Sequence, residues 1–187
     1  MIDRLKTWHD VVFGWLSERL AGWGVGLAAR LAFASVLLVY FLNSAATKVG
    51  SGFPGILIPE IGAYAQMLPA VAEAAGYNID AIAVFPYKLI VLAGTLGEVL
   101  LPMAIVIGLF TRLASLGMII FIAVMTFVDI TGHGAEPATI GAPFDRIQDA
   151  AIWDQRLLWV FLLFVLVVQG AGRISLDALL ARKFANR

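Results

Sequence analysis

Long apolar runs, separated by short polar breaks, set the pattern of this chain. Residues 26–46 contain LAFASVLLVYFL, residues 84–110 are almost uninterruptedly apolar, residues 112–130 contain LASLGMIIFIAVMTFV, and residues 153–171 contain LLWVFLLFVLVV. Crossing the hydrocarbon core of a bilayer takes about 20 mostly apolar residues. The pattern therefore predicts an all-α polytopic membrane protein, a four-transmembrane-helix bundle occupying residues 25–171. The fourth run is the shortest, and Asp154 and Arg156 at its start are expected to snorkel toward water.

Residues 1–24 follow a different pattern. Ile2, Leu5, Trp8, Val12, Trp15, Leu16 and Leu20 fall on one helical face, with Asp3, Arg4, Lys6, Asp10, Ser17, Glu18 and Arg19 supplying the polar side. An amphipathic helix lying in the membrane interface accounts for this spacing. Charges run through the whole segment, which suits a signal peptide poorly. The Gly- and Pro-rich stretch Gly50–Ala83 carries a helix candidate from Pro59 to Ala75, and Thr131–Ile152 is a second long insertion. Both are expected to place short helices on one side of the bundle. Only Phe110-Thr111-Arg112 joins the second and third runs, which predicts a tight antiparallel hairpin. Residues 172–187 read as a tail.

Basic residues orient such a protein, because they collect on the cytoplasmic side. Arg4, Lys6, Arg19, Arg30, Arg112, Arg173, Arg182, Lys183 and Arg187 fall on one side, against Lys48, Lys88, Arg146 and Arg156 on the other. Both termini are thus expected in the cytoplasm, with an acidic face formed by the longer insertions outside.

Composition sharpens this picture. Of the 187 residues, 61% are hydrophobic and 14% charged, more apolar than a soluble domain of this size can bury. The formal net charge is zero, which provides no basic field for nucleic acid. There is no cysteine, so disulfides, thiolate metal sites and thiol chemistry are excluded. No Ser-His-Asp set, phosphate loop or HExxH motif is present, so the sequence leans away from an enzyme.

Glu98 is the residue most suggestive of chemistry. It stands inside LIVLAGTLGEVLLPMAIVIGLF, roughly 14–18 Å from either edge of that span at the helical rise of 1.5 Å per residue. Carboxyl groups at such depth face a bundle interior and often mark a function. Pro102 adds a second cue, since a proline leaves unbonded the carbonyl four residues earlier, that of Glu98 itself. Counting rises along straight helices makes Tyr40, Asn43 and Thr126 its neighbours by depth, and places Lys48 at the outer edge. With no base at its level, Glu98 is expected to be protonated. The candidate intramembrane polar site is therefore Glu98, Tyr40, Asn43, Thr126 and Lys48; it reads either as a proton, quinone or ligand site or as an interhelical anchor.

Arg30 and Arg112 are expected at the cytoplasmic interface, holding lipid phosphates or helix C-terminal carbonyls. Gly94, Gly97, Gly108 and Gly117 are expected to let the second and third helices approach closely. Asp129, His133 and Glu136 form a weak metal-ligand candidate, weakened further by the loop-like Thr131-Gly132-His133-Gly134 and the single histidine.

Three motifs together resemble the DoxX family of small four-helix bacterial inner-membrane proteins. An arginine opens the first span at Arg30-Leu31 and a lysine closes it in Asn43-Ser44-Ala45-Ala46-Thr47-Lys48. GEVLLPMAIVIGLFTRLASLGM carries Glu98, Gly108, Thr111 and Arg112 in the family's order, and GAGRISLDALL carries Gly172, Arg173, Ser175 and Asp177. Asn43 departs from a position where glycine is common, and both insertions are longer than in minimal members.

The resemblance implies a multi-pass bacterial inner-membrane protein, an accessory subunit beside partner membrane or periplasmic proteins, with an oligomer left open. Its name-giving member is associated with thiosulfate:quinone oxidoreductase, which implies a quinone as the alternative ligand. Three functions are therefore expected in turn: a non-catalytic partner-binding subunit, a quinone-binding redox accessory, and a small transport module with Glu98 as proton site.

Overall fold

The computed structural model describes residues 1–21, 23–50 and 55–185, and is helical throughout with no strand among them. Arg187, counted above among the basic residues, and residues 51–54 of the first insertion lie outside the described residues. In chain order the helices are α1 (Ile2–Leu20), α2 (Gly24–Ala46), α3 (Ile61–Met67), α4 (Pro69–Ala74), α5 (Leu89–Ile107), α6 (Thr111–Thr131), α7 (Pro137–Ile140), α8 (Trp153–Gln169) and α9 (Leu176–Ala185). Three segments are long and apolar enough to cross a membrane: Gly24–Ala46, Val84–Ile107 and Thr111–Thr131. α8 is as apolar in character but runs for only 17 residues.

The long helices alternate in direction and close a ring, with α8 against α2 and α6, and α5 against α6 and the second half of α2. Phe33, Leu37, Phe41, Ile105, Met118 and Leu163 fill its centre. In lipid these contacts hold the helices by close packing, because the surrounding acyl chains are as apolar as the core. Leu100, Leu113, Ile120, Phe127, Leu158 and Phe161 point outward from the same helices and are exposed. An apolar surface of this extent suits a hydrocarbon solvent.

α2 contains a device that its sequence does not announce. Its buried positions Ala29, Phe33, Leu37, Phe41 and Ala45 recur every four residues. An ideal helix of 3.6 residues per turn would carry such a row around the cylinder. A π turn at Ala34–Leu38 absorbs the drift and keeps the row on one face.

One end of the ring is capped by the first insertion. Ala63, Tyr64, Ala72, Ile82 and Val91 make a second small core in which α3 and α4 sit against the start of α5. The expected Pro59–Ala75 helix is broken in two at Leu68, whose φ of −135° and ψ of 61° are non-helical. Pro69 is the cause: it disfavours helical geometry in the residue before it and then opens α4 as its first residue.

The opposite end holds the α5–α6 turn, the α1–α2 junction and the α8–α9 link. Gly108 ends α5 at φ +72°, and the Leu109 N–H returns to the Ala104 carbonyl at 2.9 Å. The Asp177 carboxylate accepts from the backbone N–H of Phe110 at 2.7 Å and of Thr111 at 2.9 Å, capping α6 from another part of the chain. The segment after residue 171, expected only as a tail, thus contains α9 and is stapled to the hairpin turn. Gly26 is where two backbones meet: a Cβ there would overlap the Gly170 carbonyl oxygen.

Candidate functional site

Glu98 lies on the inward face of α5, 3% exposed, and its partner is Lys48. The lysine follows the end of α2, and its side chain turns back along the helix into the interior, where it is 2% exposed. Its Nζ donates to Glu98 Oε2 at 2.9 Å and Oε1 at 3.0 Å, to Ser44 Oγ at 2.6 Å and to the Ser44 carbonyl at 3.2 Å. Ser44 Oγ also lies 3.4 Å from Glu98 Oε1. An ammonium has three protons, and these acceptors account for all of them.

This arrangement corrects the depth reading of the sequence in two respects. Glu98 does have a base at its level, and Lys48 does not snorkel to the outer edge. Counting rises treated the lysine as a point at its Cα and α2 as a regular helix. The side chain's reach and the π turn together bring Ser44 and Lys48 onto the α5 side.

The other residues grouped with Glu98 lie apart from it. Asn43 is exposed. Tyr40 is 45% exposed, its ring 5.3 Å from Trp159 and 5.0 Å from Phe41. Thr126 belongs to a second polar cluster: its hydroxyl accepts from Arg156 Nη1 at 2.8 Å, while Arg156 Nη2 pairs with Asp129 Oδ2. Arg156, expected to snorkel, is instead buried at the head of α8 with its Nε unpartnered. Facing α6 supplies a carboxylate and a hydroxyl at the same level, which makes turning inward the shorter route to a partner. Opposite charges at the matching ends of α6 and α8 were the available signal for this pair.

Asp129, His133 and Glu136 are not gathered into a metal site. Asp129 is taken by Arg156, the His133 ring Nε2 lies 3.0 Å from the Gln66 carbonyl, and Glu136 is exposed ahead of α7. Among the described residues no group of three His, Cys, Asp or Glu could hold a metal ion.

At the opposite end Arg30 is 7% exposed, and its guanidinium donates to four backbone carbonyls. Nε reaches Ile105 at 3.0 Å, Nη1 reaches Ala171 at 3.0 Å and Ile174 at 2.6 Å, and Nη2 reaches Val106. A planar fork with five N–H groups can serve divergent acceptors in this way, and lysine cannot. Arg112 is exposed beside Gly170. The two arginines, read together from sequence, therefore occupy different settings: Arg30 ties α2 to the end of α5 and the α8–α9 link inside, and Arg112 faces outward. Ser44 and Asp177 are the residues that site reasoning missed. Asp177 acts on a turn 66 residues away, and Ser44, although only four residues from Lys48, gains its role from the distant Glu98 that draws the lysine inward.

No family model, curated protein or solved structure matches the chain.

Proposed function

We propose that this chain is an integral membrane protein of the DoxX kind that crosses the bacterial inner membrane four times and serves as a non-catalytic subunit binding partner proteins. On this reading α8 is the fourth span: its 17 residues rise about 26 Å, and local thinning of the bilayer absorbs the small mismatch. α1 lies in the interface, the end bearing α1 and α9 faces the cytoplasm, and the capped end faces the periplasm.

One observation carries the functional part. The buried charges within the helical ring are spent on internal partners: Lys48 on Glu98, Arg156 on Asp129, and Arg30 on four carbonyls. A catalytic carboxylate or base needs a lone pair or proton turned toward a substrate. Groups committed to one another act as struts, which leaves the capped end and the exposed faces as the working surfaces.

The double variant Lys48→Met/Glu98→Leu tests this, since it removes both charges while keeping apolar volume. Thermal stability in detergent and complementation of a deletion strain are read side by side. A folded double variant that complements supports the strut reading; a folded one that fails to complement would sink it.

The quinone-accessory reading has its own support in Tyr40, an exposed aromatic ring that packs 5.3 Å from the half-buried Trp159. A flat, lipid-soluble ring stacks on an exposed aromatic face of this kind. Titration of a short-chain ubiquinone should then quench tryptophan fluorescence in the purified protein but not in Trp159→Phe. Absence of quenching in the parent protein removes this alternative.

A further inference from the structure

α1 and α9 leave the same end of the helical ring and neither buries a single residue. The two junctions touch: a Cβ at Gly172 would lie 2.6 Å from the Trp23 carbonyl oxygen. Three residues separate α1 from the start of α2, and α9 is pinned by Asp177 to the α5–α6 turn. Both helices are therefore held at the level where membrane-crossing segments end.

Their composition fits that level. On α9, Leu176, Leu179, Leu180 and Phe184 share one face, with Leu179 58% and Phe184 64% exposed. On α1, Trp8 is 73% and Trp15 58% exposed on the apolar face. Across α1, α9 and their junctions Arg4, Lys6, Arg19, Arg112, Arg173, Arg182 and Lys183 are exposed, against Asp3, Asp10, Glu18 and an Asp177 already committed to backbone N–H groups. α1 is balanced in charge, and the junctions and α9 make this end net positive although the whole chain is neutral.

We propose that α1 and α9 form a collar that lies in the bilayer surface, and that its basic residues bind the headgroups of anionic phospholipids. Apolar faces carrying tryptophan seat at the acyl boundary, while juxtamembrane arginine and lysine draw negatively charged lipid to the rim. The occupant is a lipid surface because the two faces are continuous with membrane-crossing helices and complementary in charge to anionic headgroups. This inference rests on the membrane reading above and adds a lipid preference to it.

The absence of cysteine allows single spin labels in the full-length protein. Leu179→Cys reports on α9, and Phe164→Cys on the outer face of α8 serves as the internal reference. Each is reconstituted in phosphatidylcholine vesicles and in vesicles that also contain phosphatidylglycerol. Depth is read from relaxation by oxygen against a water-soluble nickel chelate. The Leu179 label is expected to sit at acyl depth with phosphatidylglycerol and to shift toward water without it. Arg182→Glu/Lys183→Glu is expected to abolish that difference.

A Leu179 label in water in both vesicles overturns the collar and leaves the face to a protein partner. Equal burial in both overturns the headgroup recognition. A Phe164 label in water overturns the membrane reading itself, and so separates the two failures.

Discussion

Lys48 and Glu98, 50 residues apart in the chain, meet as a buried ion pair between the end of α2 and the middle of α5, with ammonium–carboxylate distances of 2.9 and 3.0 Å. Ser44 completes the set by accepting from the same ammonium. Two helices and the first insertion converge here, because the Lys48 carbonyl accepts from the Glu60 N–H at 2.9 Å. The pair therefore ties the cap to the ring.

Breaking this pair on one side should be far worse than removing it whole. Glu98→Leu or Lys48→Met alone leaves an uncompensated buried charge and is expected to cost about 3–5 kcal/mol. The double variant should cost much less than the sum. A double-mutant cycle on unfolding free energy, measured in detergent or by steric trapping, reads the coupling directly. Additive single effects would mean that the two side chains do not interact.

Arg30→Lys should destabilise despite keeping the charge. A lysine reaches one or two of the four carbonyls that the guanidinium serves, so charge-assisted hydrogen bonds worth about 1.5–3 kcal/mol each are lost. The melting temperature in detergent should fall clearly below that of the parent protein. An unchanged value would show that positive charge alone suffices there.

Asp177→Ala removes the acceptor for two N–H groups at the start of α6 and should cost about 1 kcal/mol, the usual worth of an N-terminal cap. Hydrogen exchange at Phe110 and Thr111 should accelerate in the variant, with the rest of α6 little affected. Unaltered exchange at these two amides would contradict the capping role.

The glycines are not equivalent. Gly26→Ala drives a methyl group into the Gly170 backbone and is expected to cost about 1–3 kcal/mol, as overpacking does. Gly97→Ala meets only Phe121 and Leu101 at 3.7 Å or more and should be neutral or slightly stabilising through helix propensity. Thermal melts of the two variants should separate in that order.

Orientation is open to a direct check. Reporters fused after residue 80 and residue 140 should mark the outer compartment, and a reporter after Arg187 the cytoplasm. A cytoplasmic signal from either insertion would reverse the assignment drawn from basic residues.

The apolar runs made the long helices legible from sequence, since a stretch such as 112–130 has no other stable setting. Their ends were legible to within a few residues: α6 begins one residue earlier than expected and α5 stops at Gly108, where a left-handed turn is needed. Glu98 was legible as the residue to explain, because a carboxyl group amid Leu, Val and Ile cannot be left alone. Its partner was not. Lys48 reaches Glu98 only through a flexible side chain and a helix whose register is shifted by a π turn, and neither leaves a periodic trace. Arg30's acceptors and Asp177's donors were invisible for a related reason: all are backbone groups, which every sequence supplies equally. The four glycines read as one packing stripe fall into different settings, with Gly108 in a turn and Gly94 beside Met67.

The Arg30 contacts also impose an order of events during synthesis. Its acceptors at Ala171 and Ile174 lie 141 and 144 residues downstream. The arginine is made before any of these partners, and half of them follow only after more than 140 further residues. Until then α2 carries a cation that can be satisfied only by water, lipid phosphate or a chaperoning insertase at the membrane surface. Closure of the ring at this end therefore waits until the segment after α8 has been made. A chain truncated before residue 171 would leave α2 permanently waiting.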